Sequence, residues 1–347
     1  MRKLFIYLVI IPGLFFISCD KKESLSEVVQ RGLDISTRQS IYLAGELENQ
    51  MEILPRTYEN YELKTAGYKS WISGFFPGVL WYLYENDSLT EIRKYAELYT
   101  ARVEEAKTMT STHDLGFMLY CSFGNGYRLT SNPHYLEVLK TGAESLSTRF
   151  NEKVGVIKSW NSNGKWQYPV IIDNMMNLEM LSFVAKETNQ EHFMDIANTH
   201  ARTTLFHHFR PDNSCYHVIS YDTITGKPHA KQTHQGYSDS SAWARGQAWA
   251  LYGYTMMYRE TGKPEYLEQA RKVASFIKNH PNLPEDKVPY WDFDAPDIPN
   301  APRDASAAAV MASAFIELSQ LDKSSEATGW LSLAEEQIRS LSSAEYL

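Results

Sequence analysis

The sequence predicts an all-α fold, a toroid of helical hairpins, and three observations carry that prediction. Apolar residues recur with the helical period of 3.6 along almost the whole chain. Turns such as Asn132-Pro133-His134-Tyr135 and Gly262-Lys263-Pro264-Glu265-Tyr266 restart a helix at once, with proline in its first turn, so that successive helices run antiparallel. Every second helix opens in a distinctive polar setting: Ser73 after Trp71, then Asp114, Asp173, Asp239 to Ser241, and Asp304 to Ser306. The helices between them begin with ordinary proline or polar turns. This alternation places inner and outer helices in turn and gathers the inner N-termini at one mouth.

In chain order, helices are expected at 25–48, 72–86, 90–107, 114–129, 133–150, 174–188, 191–207, 241–261, 265–279, 305–321 and 326–342. A closed toroid of six hairpins needs a twelfth. Because 326–342 reads as an outer helix with nothing after it, the expectation is a toroid whose last inner helix is missing from this chain. Three irregular stretches interrupt the hairpins, at 151–172, 208–240 and the proline-rich 280–303. Within them, Val154 to Trp160 and Cys215 to Asp222 fit either short strands or extended loops. Long irregular segments in a compact domain are usually functional. No shift in composition marks a second domain.

The first residues read as a targeting segment. Arg2 and Lys3 precede an apolar run from Leu4 to Ile17, too short to span a bilayer comfortably. Residues 1–18 are expected to be a signal peptide. Cys19 stands before the polar Asp20-Lys21-Lys22-Glu23, a junction similar to a bacterial lipoprotein processing site. The expectation is a lipid-modified Cys19, a linker over 19–24, one catalytic domain over 25–347, and a lipoprotein anchored in the periplasm or at the outer membrane. A plain signal peptide cut nearby is the alternative.

The formal net charge of −8 makes the chain a poor partner for nucleic acid or an anionic membrane. An acidic substrate must then be attracted locally, and converging helix N-termini supply such a site. Cys121, within an apolar helical run, is expected as a buried free thiol.

Asp173 follows the apolar Tyr168-Pro169-Val170-Ile171-Ile172 and precedes Met175, Met176 and Leu178; Asp114 stands in the same setting one hairpin earlier. Either carboxylate alone reads as a helix cap contributing about 1 kcal/mol. Two facing each other across one mouth, with environments that split their pKa values, are the equipment of glycoside chemistry. Arg245 lies in the first turns of a helix whose far side is apolar, placed to grip a carboxylate through its planar fork, with a structural salt bridge as the alternative. Trp249 follows four residues later on the same face. Trp71, Trp160, Trp166, Trp243, Trp249 and Trp291 lie in polar or glycine-containing segments, where flat rings stack on sugars or fill core. His217 precedes this segment in a loop.

No HExxH, no Cys/His ligand spacing, no glycine-rich nucleotide loop and no Gly-x-Ser-x-Gly elbow occurs. Neither a metal nor a cofactor is expected, and hydride transfer, phosphoryl transfer and serine hydrolysis lose support.

Trp71-Ile72-Ser73-Gly74-Phe75-Phe76-Pro77-Gly78, HDLGF at 113–117, DNMMNLEML at 173–181, SSAWARGQAW at 240–249 and PRDASAAAVMASA at 302–314 resemble the unsaturated glucuronyl hydrolases of glycoside hydrolase family 88. The resemblance implies an (α/α)6 barrel and oligosaccharide substrates that a lyase has left with a 4,5-unsaturated uronic acid at the non-reducing end. It implies hydration of the enol ether: an acid protonates C4, water adds at C5, and the hemiketal opens to release the sugar. Asp173 matches the family's general acid/base and Asp114 its second carboxylate. Trp71, Trp160, His217, Gln235, Arg245 and Trp249 match its pocket, Gln235 and His217 through a loosely aligned loop. The family's final inner helix, preceded by a Gly/His-containing loop, has no counterpart here. Two other readings are an unsaturated rhamnogalacturonyl hydrolase acting on pectin fragments, and a lipid-anchored glycan-binding protein with impaired catalysis.

Overall fold

The computed structural model describes residues 23–347; the expected signal peptide, Cys19 and most of the expected linker lie outside them. Among the described residues no helix is long and apolar enough to cross a membrane. The helices alternate as expected. The outer set is α1 (Leu25–Leu47), α3 (Thr90–Ala101), α5 (Pro133–Ser147), α7 (Glu191–His207), α9 (Pro264–Asn279) and α11 (Ala327–Leu341). The inner set is α2 (Phe75–Asp87), a helix running through Gly116–Gly124 into α4 (Asn125–Thr130), α6 (Asn174–Thr188), α8 (Ala244–Thr261) and α10 (Ala305–Leu321).

Burial explains the two sets. α8 buries residues all around its axis, among them Gln247, Ala248, Trp249, Ala250 and Leu251 in succession. α9 buries one stripe, Tyr266, Leu267, Ala270, Val273, Ala274 and Ile277, at the spacing of a single helix face. Each inner helix from α2 to α10 packs on the next. The outer ring meets itself at α1 and α11, where Arg31 Nη1 donates to Ser342 O (2.7 Å) and Arg339 Nη1 to Glu23 O (2.8 Å). Val79 and Tyr82 on α2 and Ala309 and Ser313 on α10 are exposed.

Four details depart from the periodicity. The helix expected from 72 starts at Phe75, and the one expected over 90–107 ends at Ala101, followed by a 3₁₀ turn over Glu104–Thr108. A hairpin not expected from the sequence, β1 (Leu54–Glu59) and β2 (Glu62–Ala66), turns at Asn60 and Tyr61, both at positive φ. The helix expected over 114–129 is a π-helix from Gly116 to Gly124.

Glycines account for where that widened helix fits. A Cβ on Gly74 would lie 2.2 Å from the carbonyl oxygens of Phe117 and Met118, and one on Gly78 would lie 2.7 Å from Cys121 O. On the other flank, a Cβ on Gly116 would meet Asn177 Cα at 2.6 Å. The π-helix is therefore seated backbone against backbone between α2 and α6, and such helices concentrate at functional sites. Gly74→Ala has no flexible side chain to displace, only backbone. We expect it to cost at least about 3 kcal/mol, read as a lowered midpoint in urea unfolding; an unchanged midpoint would mean that this packing is looser than described.

Of the irregular stretches, two contribute a sheet. β5 (Pro169–Ile171), β6 (Val218–Tyr221) and β7 (Pro228–Gln232) pair antiparallel in that order, and β3 (Phe150–Asn151) pairs with β4 (Val156–Ile157). Along β5 and β6 the side chains alternate: Val170 and Ile219 pack with Val156, Tyr168 and Tyr221, while Ile171 and Val218 pack with Trp166 and Trp160. Among the described residues both cysteines are free thiols; Cys215 is buried and Cys121 partly buried.

Candidate active site

The sheet performs the first act of assembly. β5 delivers the chain into Ile172 and Asp173, and β6 begins directly after His217. The bond from Ile172 N to His217 O (3.1 Å) continues the pairing of the two strands. Asp173 and His217, 44 positions apart, thereby stand side by side, with His217 Nε2 3.7 Å from Asp173 Oδ2.

Asp173 occupies the N-cap position of α6 but makes no capping hydrogen bond through its side chain. The cap alternative thus fails for this residue: the carboxyl group is not committed to the helix. Burial pushes its pKa up to about 7, against the pull of its own backbone N–H. The charge of Asp114 pushes it further up, and Arg245 and the indole of Trp249 pull it down. A buried carboxyl group near half-protonation at neutral pH can both give and take a proton.

Asp114 precedes its helix by two residues. Its Oδ2 accepts from Thr112 Oγ1 (2.5 Å), its N–H donates to the same hydroxyl (3.2 Å), and its Oδ1 lies 3.3 Å from His113 Nε2. It too is not a cap. The inner helix end that a carboxylate does cap is α10, where Asp304 Oδ1 accepts from Ala307 N (2.9 Å).

His217 has a fixed tautomer. Its Nδ1 accepts the backbone N–H groups of His234 and Gln235, each at 3.1 Å, so its proton resides on Nε2, facing Asp173. Burial drives its pKa down to about 3, helped by His234, and the ring is neutral at working pH. Trp243 packs against it at 4.5 Å between centroids.

Arg245, in the first turn of α8, is held from one side. Its Nη2 lies 3.4 Å from Asp304 Oδ2, its Nη1 donates to Ser306 Oγ (3.2 Å), and the guanidinium lies over Trp243. The salt-bridge alternative is therefore partly true, yet Arg245 Nε stays unpaired.

Aromatic rings complete the walls. Trp71, Phe117 and Trp249 form a continuous edge, with centroid separations of 5.5 and 5.2 Å. A second group of rings lies at the sheet, where Trp160 meets Trp166, His217 and His234. Trp71 is exposed and Trp160 partly so, as sugar-facing rings must be; Trp249 is buried, and its contribution is its Nε1–H. The side chain of Gln235 is exposed, and its backbone N–H is what engages the site. The loop carrying Gln235 is pinned from beneath by Asp292, fully buried, whose Oδ2 accepts from Tyr237 N (2.9 Å) and Ser241 Oγ (2.7 Å).

Ser73 Oγ, His113 Nε2, Asp173 Oδ2, His217 Nε2, Arg245 Nε, Trp249 Nε1 and Asp304 Oδ2 are all buried without a hydrogen-bond partner in the protein. Each such atom costs about 1–3 kcal/mol unless something else bonds it. These seven, of seventeen such atoms among the described residues, belong to residues that open the inner helices or flank the two carboxylates, where a polar ligand or a small shift of a neighbouring side chain can satisfy them.

His113, Asn177 and Phe117 join the site although sequence reasoning did not place them there, and Asp304 and Ser306, expected at the mouth, join it as the partners of Arg245. Asp304 and Ser306 carried a usable signal, since they open an inner helix in the same manner as Asp173. His113 and Phe117 flank Asp114 within one motif. Asn177 had no local signal.

A half-protonated carboxyl group beside a second carboxylate, at the mouth of a helical toroid walled by aromatic rings, defines a glycoside hydrolase. Residues 47–313 match the model of Glycosyl Hydrolase Family 88, and the chain belongs to that family. It is 42% identical to an unsaturated glucuronyl hydrolase of Formosa agariphila, the match covering 100% of this chain and 88% of the relative. It is 32% identical to an unsaturated chondroitin disaccharide hydrolase of Streptococcus pyogenes, over 84% of this chain and 73% of the relative. Its fold matches the crystal structure of an unsaturated glucuronyl hydrolase specific for heparin with a TM-score of 0.86 and 46% identity, covering 91% of this chain and 85% of that one.

Proposed function

We propose that this protein releases the 4,5-unsaturated uronic acid from the non-reducing end of lyase-generated oligosaccharides of glycosaminoglycan type, by acid-catalysed hydration of the enol ether. The observation that carries the proposal is Asp173: buried, uncommitted to its helix, pushed up to about 7, and surrounded by unpaired donors. Protonation of an enol ether carbon needs an acid that is still protonated at neutral pH, and an ordinary carboxyl group is not.

In the proposed sequence Asp173 gives its proton to C4, and positive charge develops across C5 and the ring oxygen. Water attacks C5, and its surplus proton returns to the Asp173 carboxylate. The hemiketal then opens to a C5 ketone, C1 is left as a hemiacetal, and its collapse frees the next sugar. Arg245, positioned by Asp304, takes the uronate carboxylate and supplies the local attraction that an acidic protein otherwise lacks. His217, neutral and donating only through Nε2, offers a hydrogen bond without competing for the proton. Trp71, backed by the buried rings of Phe117 and Trp249, and Trp160 present flat surfaces to the sugar rings.

The test is a panel of unsaturated disaccharides of chondroitin, hyaluronan, heparin and gellan type, with an unsaturated galacturonyl-rhamnose for comparison, followed by loss of the ultraviolet band of the conjugated enol ether. Turnover of at least one glycosaminoglycan-type member, faster than of the pectin-type one, is expected. Preference for the pectin-type disaccharide would move the substrate class, and tight binding without turnover of any member would make this a binding protein.

A further inference from the structure

Asp114 is served by a relay of three residues that reaches it from the helix of Asp173. Asn177 lies one turn into α6 from Asp173, on the face packed against the π-helix, where Gly116 lets the two backbones meet. Phe117 N donates to Asn177 Oδ1 at 3.0 Å, which fixes the orientation of that amide. Its Nδ2 must therefore point the other way, and there it meets His113 Nδ1 at 3.4 Å. An amide nitrogen can only donate, so His113 Nδ1 accepts and the ring's one proton sits on Nε2.

The other side of the ring agrees. His113 Nε2 faces acceptors: Asp114 Oδ1 at 3.3 Å, and Asn174, whose Nδ2 is spent on Ile157 O (2.8 Å), leaving its Oδ1 unpaired. Arg149 and Asp114 are the charged groups that act on the ring, which is fully buried and disfavoured as an imidazolium. Nε2–H currently lies off the line of a hydrogen bond, and Asp114 Oδ1 is the charged acceptor within reach. Catalytic hydrogen bonds are commonly long before substrate arrives and tighten in the complex.

We infer that His113, locked as the Nε2–H tautomer by Asn177, is a positioning residue that orients the Asp114 carboxylate for the reaction, and that the Phe117–Asn177–His113 chain ties this orientation to the helix carrying Asp173. The inference rests on the reaction proposed above for its kinetic consequence, but its structural half does not.

Two experiments separate them. Nitrogen-15 histidine spectra of the wild-type protein, with the His113 signals identified by their absence from His113→Gln, read the tautomer with no substrate present. A neutral ring protonated at Nε2 is expected, and a ring protonated at Nδ1 or at both nitrogens overturns the relay even if the enzyme is active. Kinetics then test the role. His113→Phe is expected to lower kcat by roughly tenfold or more with little change in KM, in the manner of lost orienting partners. His113→Gln, which restores an N–H donor on that side, should recover most of the rate. On an Asp114→Asn background His113→Phe should cost little further, because the two act through one carboxylate. Losses that multiply, or a Gln variant as slow as Phe, would show that His113 only fills space.

Discussion

Asp173→Asn lowers kcat by about 10³-fold or more while leaving a disaccharide bound with near wild-type affinity. The amide keeps the size and hydrogen-bonding shape of the protonated carboxyl group but has no proton to give. For the wild type, the acid form is the working form, and the pKa of Asp173 is pushed up to about 7 by burial first and by the charge of Asp114, against the pull of its own backbone N–H. Activity should therefore hold below neutrality and fall tenfold per pH unit above about pH 7. Stability follows the same group. Its folded-state pKa lies above its unfolded value of 3.8, so the folded state binds the extra proton between the two, and the stability this confers is lost as pH rises through about 7. Asp173→Asn removes that dependence, so its melting temperature at pH 8 should equal or exceed that of the wild type. A variant both inactive and unstable there would point to misfolding rather than to a missing acid.

Asp114→Asn gives the second large effect, about 10²-fold in kcat, and it differs in kind. The negative charge of Asp114 is one of the causes that raise the pKa of Asp173. Without it Asp173 becomes the stronger acid, and the alkaline limb of the pH profile moves to lower pH. The deficit measured at pH 8 should accordingly exceed that at pH 5.5. A uniform deficit at both would mean that Asp114 touches the reacting atoms alone and does not tune its partner.

The helices were legible because their signals are local. Proline after Asn132 and Gly262, and apolar stripes such as Tyr266 to Ile277, need only their own segment to be read. The mouth was legible for a related reason, since each inner helix announces its N-terminus within a few residues. The π-helix at Gly116–Gly124 was not, because an apolar run of nine residues has the same appearance whether its carbonyls bond four or five residues on; Gly74, Gly78 and Asn177 decide the matter from other helices. The hairpin around Asn60 and Tyr61 lacked an apolar face to betray it: most of its residues are exposed.

The site divides along the same line. Asp173, Asp114, Arg245 and Trp249 stand at helix starts and could be picked out singly. What they are held by could not. His217 reaches Asp173 only because β5 and β6 pair, Arg245 is anchored by Asp304 from another helix, and Asn177 reaches His113 across 64 positions of chain. Long-range pairing of this kind leaves no periodicity in either partner. The motif resemblance located residues to which local reasoning gave no role, His217 and Gln235 among them, whereas the geometry explains them: the histidine's Nδ1 is the acceptor that holds the loop of Gln235 in place.

Hydration, rather than displacement at the anomeric carbon, is the central claim, and running the reaction in deuterium oxide while following it by nuclear magnetic resonance tests it most directly. Under hydration, loss of the C4=C5 double bond accompanies every release of the neighbouring sugar. One deuteron is delivered to a single face of C4, the face that Asp173 serves. Release of that sugar ahead of any change at C4, with an unsaturated uronic acid accumulating free in solution, would contradict it.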